Sequence, residues 1–331
     1  MPLSDISEVE MAAADQKPVN SGFTAKSTAA EVIHGIDLSG KSVIVTGGYS
    51  GIGVETVAAL AAAGAEIMVP ARDVAKAKAA LADVKGKIEI AAMDLGDLAS
   101  VEKFARDFAS GRKALHLLIN NAGVMACPET RIGKDWELQF ATNHIGHFAL
   151  TAALLPLLRA ATGARVVALS STGHKISGIR WDDIHFRKGG YDKWVAYGQS
   201  KTANALFAVG LDRREKSNGV RAFSVHPGGI VTPLQRHLAK EEMIALGWLG
   251  PDGEVSEMAK AMFKTPEQGA STTVFAATSA LLDGKGGVYC ENGDIAVLAG
   301  PDAPRWAEVQ PYACDDAEAE RLWAETERMI A

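Results

Sequence analysis

The sequence predicts an α/β fold: a doubly wound parallel sheet with helices on both faces, in a single domain. Three observations carry this. Short β-branched runs alternate with Ala-rich helical stretches along most of the chain. A glycine-rich turn joins the first strand to the first long helix. No internal repeat or linker divides the 331 residues. Alternating strands and helices mean βαβ units, and right-handed crossovers then give a doubly wound sheet with a topological switch point.

Taken in order, residues 1–20 read as a flexible arm and 21–331 as one Rossmann-type domain. Residues 42–46 are a short β-branched run, read as a buried strand. Residues 51–64 are an Ala-rich helix stopped by glycine. A strand at 66–70 and a helix at 73–84 follow, then a strand at 88–92 and a helix at 96–110 with Asp97 near its start. Residues 115–119 are a fourth strand, and Trp136–Ala160 reads as one long helix. After a strand at 165–170, residues 172–193 are irregular and rich in Gly, His and aromatics. A helix at 194–216 and a strand at 220–225 lead into a substrate loop, 227–265, expected to order on binding. A helix at 266–280, a last strand at 287–289 and an acidic amphipathic C-terminal helix at 315–330 complete the chain.

Composition narrows the function. Hydrophobic residues make up 47%, and 40 acidic against 34 basic residues give a net charge of −6 without any basic block. Nucleic acid and anionic membrane are therefore not expected partners. Cys127, Cys290 and Cys314 form no CxxC pair, which reads as a reducing compartment with neither disulfide framework nor metal site. The first 20 residues have no basic or apolar run, and no stretch is long enough for a membrane anchor. A cytoplasmic protein is expected.

The segment Thr46-Gly47-Gly48-Tyr49-Ser50-Gly51-Ile52-Gly53 lies between strand and helix. Glycines there let the backbone approach a pyrophosphate, and the helix N-terminus faces it with free N–H groups. The second strand ends in Ala71-Arg72-Asp73. NAD sites usually place a carboxylate at this point for the ribose 2′-OH. Here Ala71 stands in its place. Arg72 sits beside a helix N-terminus, which favours anions, so a 2′-phosphate is its natural counter-charge. Asp73 reads as the helix N-cap. The expected cofactor is NADP(H).

Tyr197 and Lys201 are i and i+4 on one predicted helix and share a face. Carbonyl reduction needs a proton for the oxygen, and a phenol supplies it if a nearby ammonium stabilises the phenolate. Ser171 ends strand five, where its hydroxyl can orient a substrate oxygen. Asn143 is a mediocre helix former within the long helix. His144 and His147 lack a third ligand at matching spacing and read as structural; His174 and His185 stay unassigned. Val124, Met125, Ile176, Trp181, Leu234, Met243, Trp248 and Met262 are apolar candidates for the substrate wall.

The glycine spacing G-x-x-x-G-x-G after Thr46, together with Asn120-Asn121-Ala122-Gly123, Leu169-Ser170-Ser171 and Tyr-x-x-x-Lys, resembles the short-chain dehydrogenase/reductase family. Asn143-His144-Ile145-Gly146-His147-Phe148 and Ser200-Lys201-Thr202-Ala203-Asn204 are closest to its retinol-dehydrogenase-like branch. The resemblance implies that Asn143, Ser171, Tyr197 and Lys201 form the catalytic group, with Asn143 distorting its helix. It implies that Gly47, Ser50, Gly51, Ile52, Gly53, Arg72, Asp94, Leu95, Asn121, Ala122, Gly123, Tyr197 and Lys201 hold the cofactor. Pro227, Gly228, Ile230 and Thr232 are implied around its nicotinamide. The activity implied is interconversion of a carbonyl and an alcohol on a bulky apolar substrate. A catalytically silent NADPH sensor is one alternative. The other is a double-bond reductase like the light-dependent protochlorophyllide reductases, which carry a Cys where this chain has Ala203. Relatives often pair their long helices, so a homodimer or homotetramer is expected, with a monomer where the 172–193 insertion covers that face.

Overall fold

The computed structural model describes residues 15–331. Its strands are β1 (Ser42–Val45), β2 (Glu66–Ala71), β3 (Lys87–Ala92), β4 (Leu117–Asn120), β5 (Arg131–Ile132), β6 (Trp136–Glu137), β7 (Ala164–Leu169), β8 (Val220–His226), β9 (Val288–Glu291) and β10 (Asp294–Ile295). Its α-helices are α1 (Ala29–Ile33), α2 (Ile52–Ala62), α3 (Val74–Ala80), α4 (Leu98–Ser110), α5 (Gly146–Arg159), α6 (Lys193–Glu215), α7 (Lys240–Ala245), α8 (Glu257–Met262), α9 (Pro266–Thr278) and α10 (Asp316–Ile330), with a short helical turn at Leu138–Phe140.

Eight strands form one sheet in the order β10-β9-β8-β7-β4-β1-β2-β3, parallel except for the β9–β10 pair. The chain runs outward from β1 to β3, then returns to place β4 against the other side of β1. That reversal is the topological switch point, where strand ends diverge and leave a crevice. Strands β1, β4 and β7 are buried along their whole length, as central parallel strands covered on both faces should be. Alternate side chains divide the core. Val43 and Val45 pack with Leu60 of α2 and Val274 and Phe275 of α9. Ile44, Leu118 and Val166 pack with Phe104 of α4, Leu154 of α5 and Phe207 of α6.

Several elements differ from the sequence reading. The expected helix Trp136–Ala160 begins instead as a hairpin, β5 pairing with β6. Gly133 and Asp135 turn the chain with positive φ, and a Cβ on Gly133 would meet the Trp136 ring at 2.7 Å. Ala141–Ile145 is then a π-helical turn before α5 begins. Helix α3 stops at Ala80, short of the expected Val84, while Asp73 caps it as expected by accepting from the Lys76 N–H. The last strand runs to Glu291, and Asn292 and Gly293, both at positive φ, reverse the chain into β10.

Residues 1–14 of the expected arm lie outside the described residues. The remainder is anchored: Gln16 is buried, its amide donates to the Tyr289 and Ala296 carbonyls, and its oxygen accepts from the Tyr289 N–H. The folded unit therefore starts before residue 21. At the other end, α10 lies on α5 and α6. Trp323 stacks parallel on Phe207 at 6.0 Å and meets Phe148 edge-on at 4.7 Å. The 172–193 insertion shares this cover, with Trp181 donating to Glu318 and stacking under Arg321. No helix among the described residues is long and apolar enough to cross a membrane.

Candidate active site

A cavity of about 1080 Å³ opens at the switch point along the carboxyl ends of the strands. Among the expected site residues, only Gly53 and Asn143 do not line it, and both stand directly behind its wall. At one end the β1–α2 turn forms a backbone cradle. A Cβ on Gly53 would sit 2.3 Å from the Gly47 carbonyl oxygen, and one on Gly47 would sit 2.9 Å from Ala122 Cα. Gly51 takes φ +55°, a conformation glycine adopts without strain. The N-terminus of α2 has no side-chain cap; the Gly53 and Val54 N–H groups turn back to the Ser50 and Gly51 carbonyls, and the positive end of the helix at the cavity suits an anion.

Thr46 joins this turn to the neighbouring strand. Its hydroxyl oxygen accepts from the N–H groups of Asn121 and Ala122, and it stands 2.8 Å from His147 Nε2. His147 Nδ1 lies 2.9 Å from the Asn143 carbonyl, so that nitrogen donates and Nε2 accepts the Thr46 proton. Burial holds the imidazole neutral, pushing it down to about 4. The Asn121 amide also donates to the Thr46 carbonyl at 2.8 Å. Sequence reasoning treated His147 as structural, which fits, but missed that it bolts the two strand ends together.

At the end of β2, Arg72 is exposed on the cavity wall and bonds no carboxylate among the described residues. Lys76, four residues on and also lining the cavity, escaped the sequence reading; its i+4 spacing from Arg72 was the available signal. The glycine cradle, the uncapped helix end and these free cations together suit the phosphates of a dinucleotide. Asp94 and Leu95 close the same end at β3.

The other end is built on α6. Tyr197 and Lys201 are buried, and the Lys201 ammonium donates to the Leu169 carbonyl at 2.9 Å. The Tyr197 ring and the Ser171 hydroxyl meet at Gly173, 2.8 and 3.4 Å from where its Cβ would stand. Burial pushes Tyr197 up to about 12, with the Ser171 hydroxyl pulling the other way, and pushes Lys201 down to about 8. The sequence reading expected the ammonium to govern the phenol. Here burial dominates, because Lys201 Nζ stands 5.6 Å from the ring centre and spends a hydrogen bond on Leu169.

The Asn143 side chain accepts from Val124 N–H at 2.8 Å and donates to the Val124 carbonyl and to Ser200 Oγ. Asn143 Oδ1 and Lys201 Nζ lie on the same side of Gly123, 3.3 and 3.7 Å from where its Cβ would stand. The π-turn that carries Asn143 is the helix distortion expected from this residue. Two glycines permit close approach: a Cβ on Gly173 would strike the Tyr197 ring at 2.8 Å, and one on Gly198 would lie 2.7 Å from the Gly173 carbonyl.

His174 is structural. Its Nε2 accepts from the Gln310 N–H, its Nδ1 donates to the Ser171 carbonyl, and burial holds it at about 4. His144 meets Thr326 of α10, and His185 accepts from the Glu137 N–H.

Of the apolar wall candidates, Val124, Met125, Ile176, Leu234 and Trp248 line the cavity. Trp181, Met243 and Met262 do not: Trp181 is taken up by α10, Met243 packs beneath the loop, and Met262 points outward. Trp194, Leu246, Phe263 and Trp306 complete the wall and were not foreseen. Glu242 of α7 bonds Lys193 at 2.5 Å and the Trp194 indole at 3.1 Å, tying the 227–265 loop to the start of α6.

These parts occur together in oxidoreductases that hold a nicotinamide dinucleotide across the ends of a doubly wound sheet. The chain is one of them: it belongs to the short-chain dehydrogenase family, whose model matches residues 41–243. It is 44% identical to a Streptomyces antibioticus protein named "Probable oxidoreductase", over 87% of this chain and 97% of that one. It is 36% identical to mouse retinol dehydrogenase 12, over 87% of this chain and 85% of that one. A solved structure of an uncharacterised protein from Mycobacterium paratuberculosis superposes with a TM-score of 0.69 at 33% identity, covering 92% of this chain and 97% of that one.

Proposed function

We propose that this chain is a cytoplasmic NADP(H)-dependent oxidoreductase that interconverts a carbonyl and an alcohol on a bulky apolar substrate. The observation that carries the reading is the joining, in one cavity, of the buried Tyr197 and Lys201 and the half-buried Ser171 with a glycine cradle that ends at the unpaired Arg72. The likeness to a protein named retinol dehydrogenase supports an apolar alcohol or aldehyde.

The residues that would hold the dinucleotide are Gly47, Ser50, Gly51 and Ile52 at the pyrophosphate, with Gly53 supporting the turn. Arg72 and Lys76 serve the 2′-phosphate, and Asp94, Leu95, Asn121, Ala122 and Gly123 line the bed. Pro227, Gly228, Ile230 and Thr232 flank the nicotinamide. When bound, that ring supplies or accepts the hydride.

The protein's own part is the proton. A phenol held near 12 is protonated at neutral pH, so Tyr197 Oη carries the proton that the substrate oxygen needs in reduction. Ser171 Oγ donates to the same oxygen and orients it. The Lys201 ammonium favours the phenolate left behind, and Asn143, on the same side of Gly123 as Lys201, lies where it can position a water that passes a proton to the ammonium. The aromatic wall of Trp194, Trp248 and Phe263 excludes water from the reacting carbonyl.

The test is NADPH and NADH oxidation at the nicotinamide absorption band with a panel of apolar aldehydes and ketones, wild type beside Tyr197→Phe. NADPH-dependent turnover that disappears in the variant is expected. Binding of NADPH with no turnover of any panel member would favour a silent sensor. Arg72→Asp should weaken NADPH by about tenfold to a hundredfold and leave NADH nearly unchanged, the worth of a charge-assisted bond; equal losses for both would remove the assignment to the 2′-phosphate.

A further inference from the structure

The cavity has a second feature that the dinucleotide does not explain. Most arginines of this chain bond a carboxylate, as Arg159 does Glu215 and Arg221 does Asp212. Six bond none among the described residues: Arg106, Arg180 and Arg321 lie elsewhere, and Arg72, Arg236 and Arg305 line this one cavity. Arg72 stands at the nucleotide end, where the 2′-phosphate answers its charge, and Arg236 lies in the 227–265 loop, four positions after Thr232. Arg305 stands elsewhere, on the C-terminal segment that borders Ser171–Ile176.

That segment is firmly placed. The Lys175 ammonium donates to the Pro304 carbonyl at 2.7 Å and also to that of Ala307. The N–H of Gln310 is fixed by His174. Arg305 lies over the Trp306 ring at 4.6 Å, an arrangement that holds a guanidinium without neutralising it. Trp306 is 40% exposed and Ile176 50%, and both line the mouth. The lining contains two carboxylates, Asp73 and Asp94, both at the nucleotide end; the substrate end holds Lys175, Lys201 and Arg305 with no acid. Of the acids near this segment, Glu291 and Glu308 act on Lys175, and Asp302, three positions before Arg305, makes no ion pair with it. A cation without a counter-ion, on an apolar rim in a protein of net charge −6, attracts and orients an anion.

We propose that the substrate carries an anionic group in addition to its carbonyl, and that Arg305 binds this group at the rim while Trp306 and Ile176 grip the adjoining apolar body. Arg305 is thus a specificity-determining residue. The inference rests on the carbonyl-reductase reading given above and adds the substrate class: amphipathic carbonyl compounds with a carboxylate or phosphate remote from the reacting carbon.

The experiment uses the full chain with two readouts. In turnover, ω-oxododecanoate is compared with its methyl ester at saturating NADPH. In binding, dodecanoate, dodecyl phosphate and dodecanol, which have no carbonyl, are titrated calorimetrically. The acid should exceed the ester in kcat/KM, and dodecanoate should bind more tightly than dodecanol, each by about tenfold, the range of one charge-assisted bond. Arg305→Glu should abolish both preferences, Arg305→Lys should retain most of each, and the ester and the KM for NADPH should be unchanged. The dodecanoate and dodecyl phosphate arms distinguish a carboxylate from a phosphate ester as the head group. Equal handling of acid and ester, or a preference that survives Arg305→Glu, overturns the inference while the reductase reading stands. Selective dodecanoate binding without reduction of either aldehyde keeps the anion site and overturns the reductase reading.

Discussion

At the residue scale, Thr46 shows how much one hydroxyl can organise. It accepts two backbone N–H bonds and donates to His147, so a single oxygen fixes the β4 turn against the β1 turn. Thr46→Val preserves shape but orphans those N–H groups. Urea unfolding should register a loss of about 2 kcal/mol, as for buried donors left unsatisfied, together with weaker NADPH binding; unchanged stability would show that water replaces the hydroxyl. Lys201 offers a second test. Burial brings it down to about 8, so the ammonium that favours the phenolate is present below that pH and lost above it. Reductive kcat/KM should therefore hold at neutral pH and fall along a limb centred near pH 8. A profile level through pH 10 would remove Lys201 from the proton step.

At the element scale, the site depends on how closely α6 approaches the 172–176 turn. Gly198 touches no reacting atom, yet a Cβ there would lie 2.7 Å from the Gly173 carbonyl and 3.0 Å from Ile176 Cβ. Gly198→Ala should cost about 2 kcal/mol by overpacking and reduce kcat, because the helix that carries Tyr197 must move away from Ser171. Wild-type kcat in that variant would mean that the turn yields instead. The 227–265 loop is held to the same helix through Glu242, and Trp194 sits edge-on between Tyr197 and Trp248. Glu242→Ala should raise the substrate KM several-fold with kcat maintained, the signature of lost uniform binding. A fall in kcat at constant KM would place Glu242 in the chemical step.

At the scale of the whole molecule, two properties follow from what is buried. His144, His147, His174 and His226 are held between about 3 and about 4 by burial. Unfolded, each titrates near its ordinary value of about 6.5. The unfolded chain therefore binds more protons between those values, and stability must fall as pH drops from about 6.5 toward 4, by up to about 3 kcal/mol for each imidazole. Melting temperatures taken across this range should decline steadily; a flat curve would show that these imidazoles are relieved by solvent. The second property is the cover that α10 lays over Phe148 and Phe207. Removal of 316–331 should expose those rings and drive association or loss of stability.

What was legible in the sequence was local. The alternation of strand and helix, the glycine turn, the Asp73 cap and the Tyr197–Lys201 spacing each depend on residues a few positions apart, where chain geometry alone sets the outcome. Periodicity failed at Trp136, where two positive-φ residues turned an apparent helix start into a hairpin, and at β10, which exists only because β9 is beside it. Only the tertiary structure brought Gln16 to Tyr289, Thr46 to His147, and Lys175 to Pro304 and Ala307. Those contacts join residues a hundred or more positions apart, and no local pattern encodes them. The same holds for the acidity of Tyr197: the sequence by itself determined that a phenol and an ammonium share a helix face, whereas burial, a property of the whole fold, decided that the phenol keeps its proton.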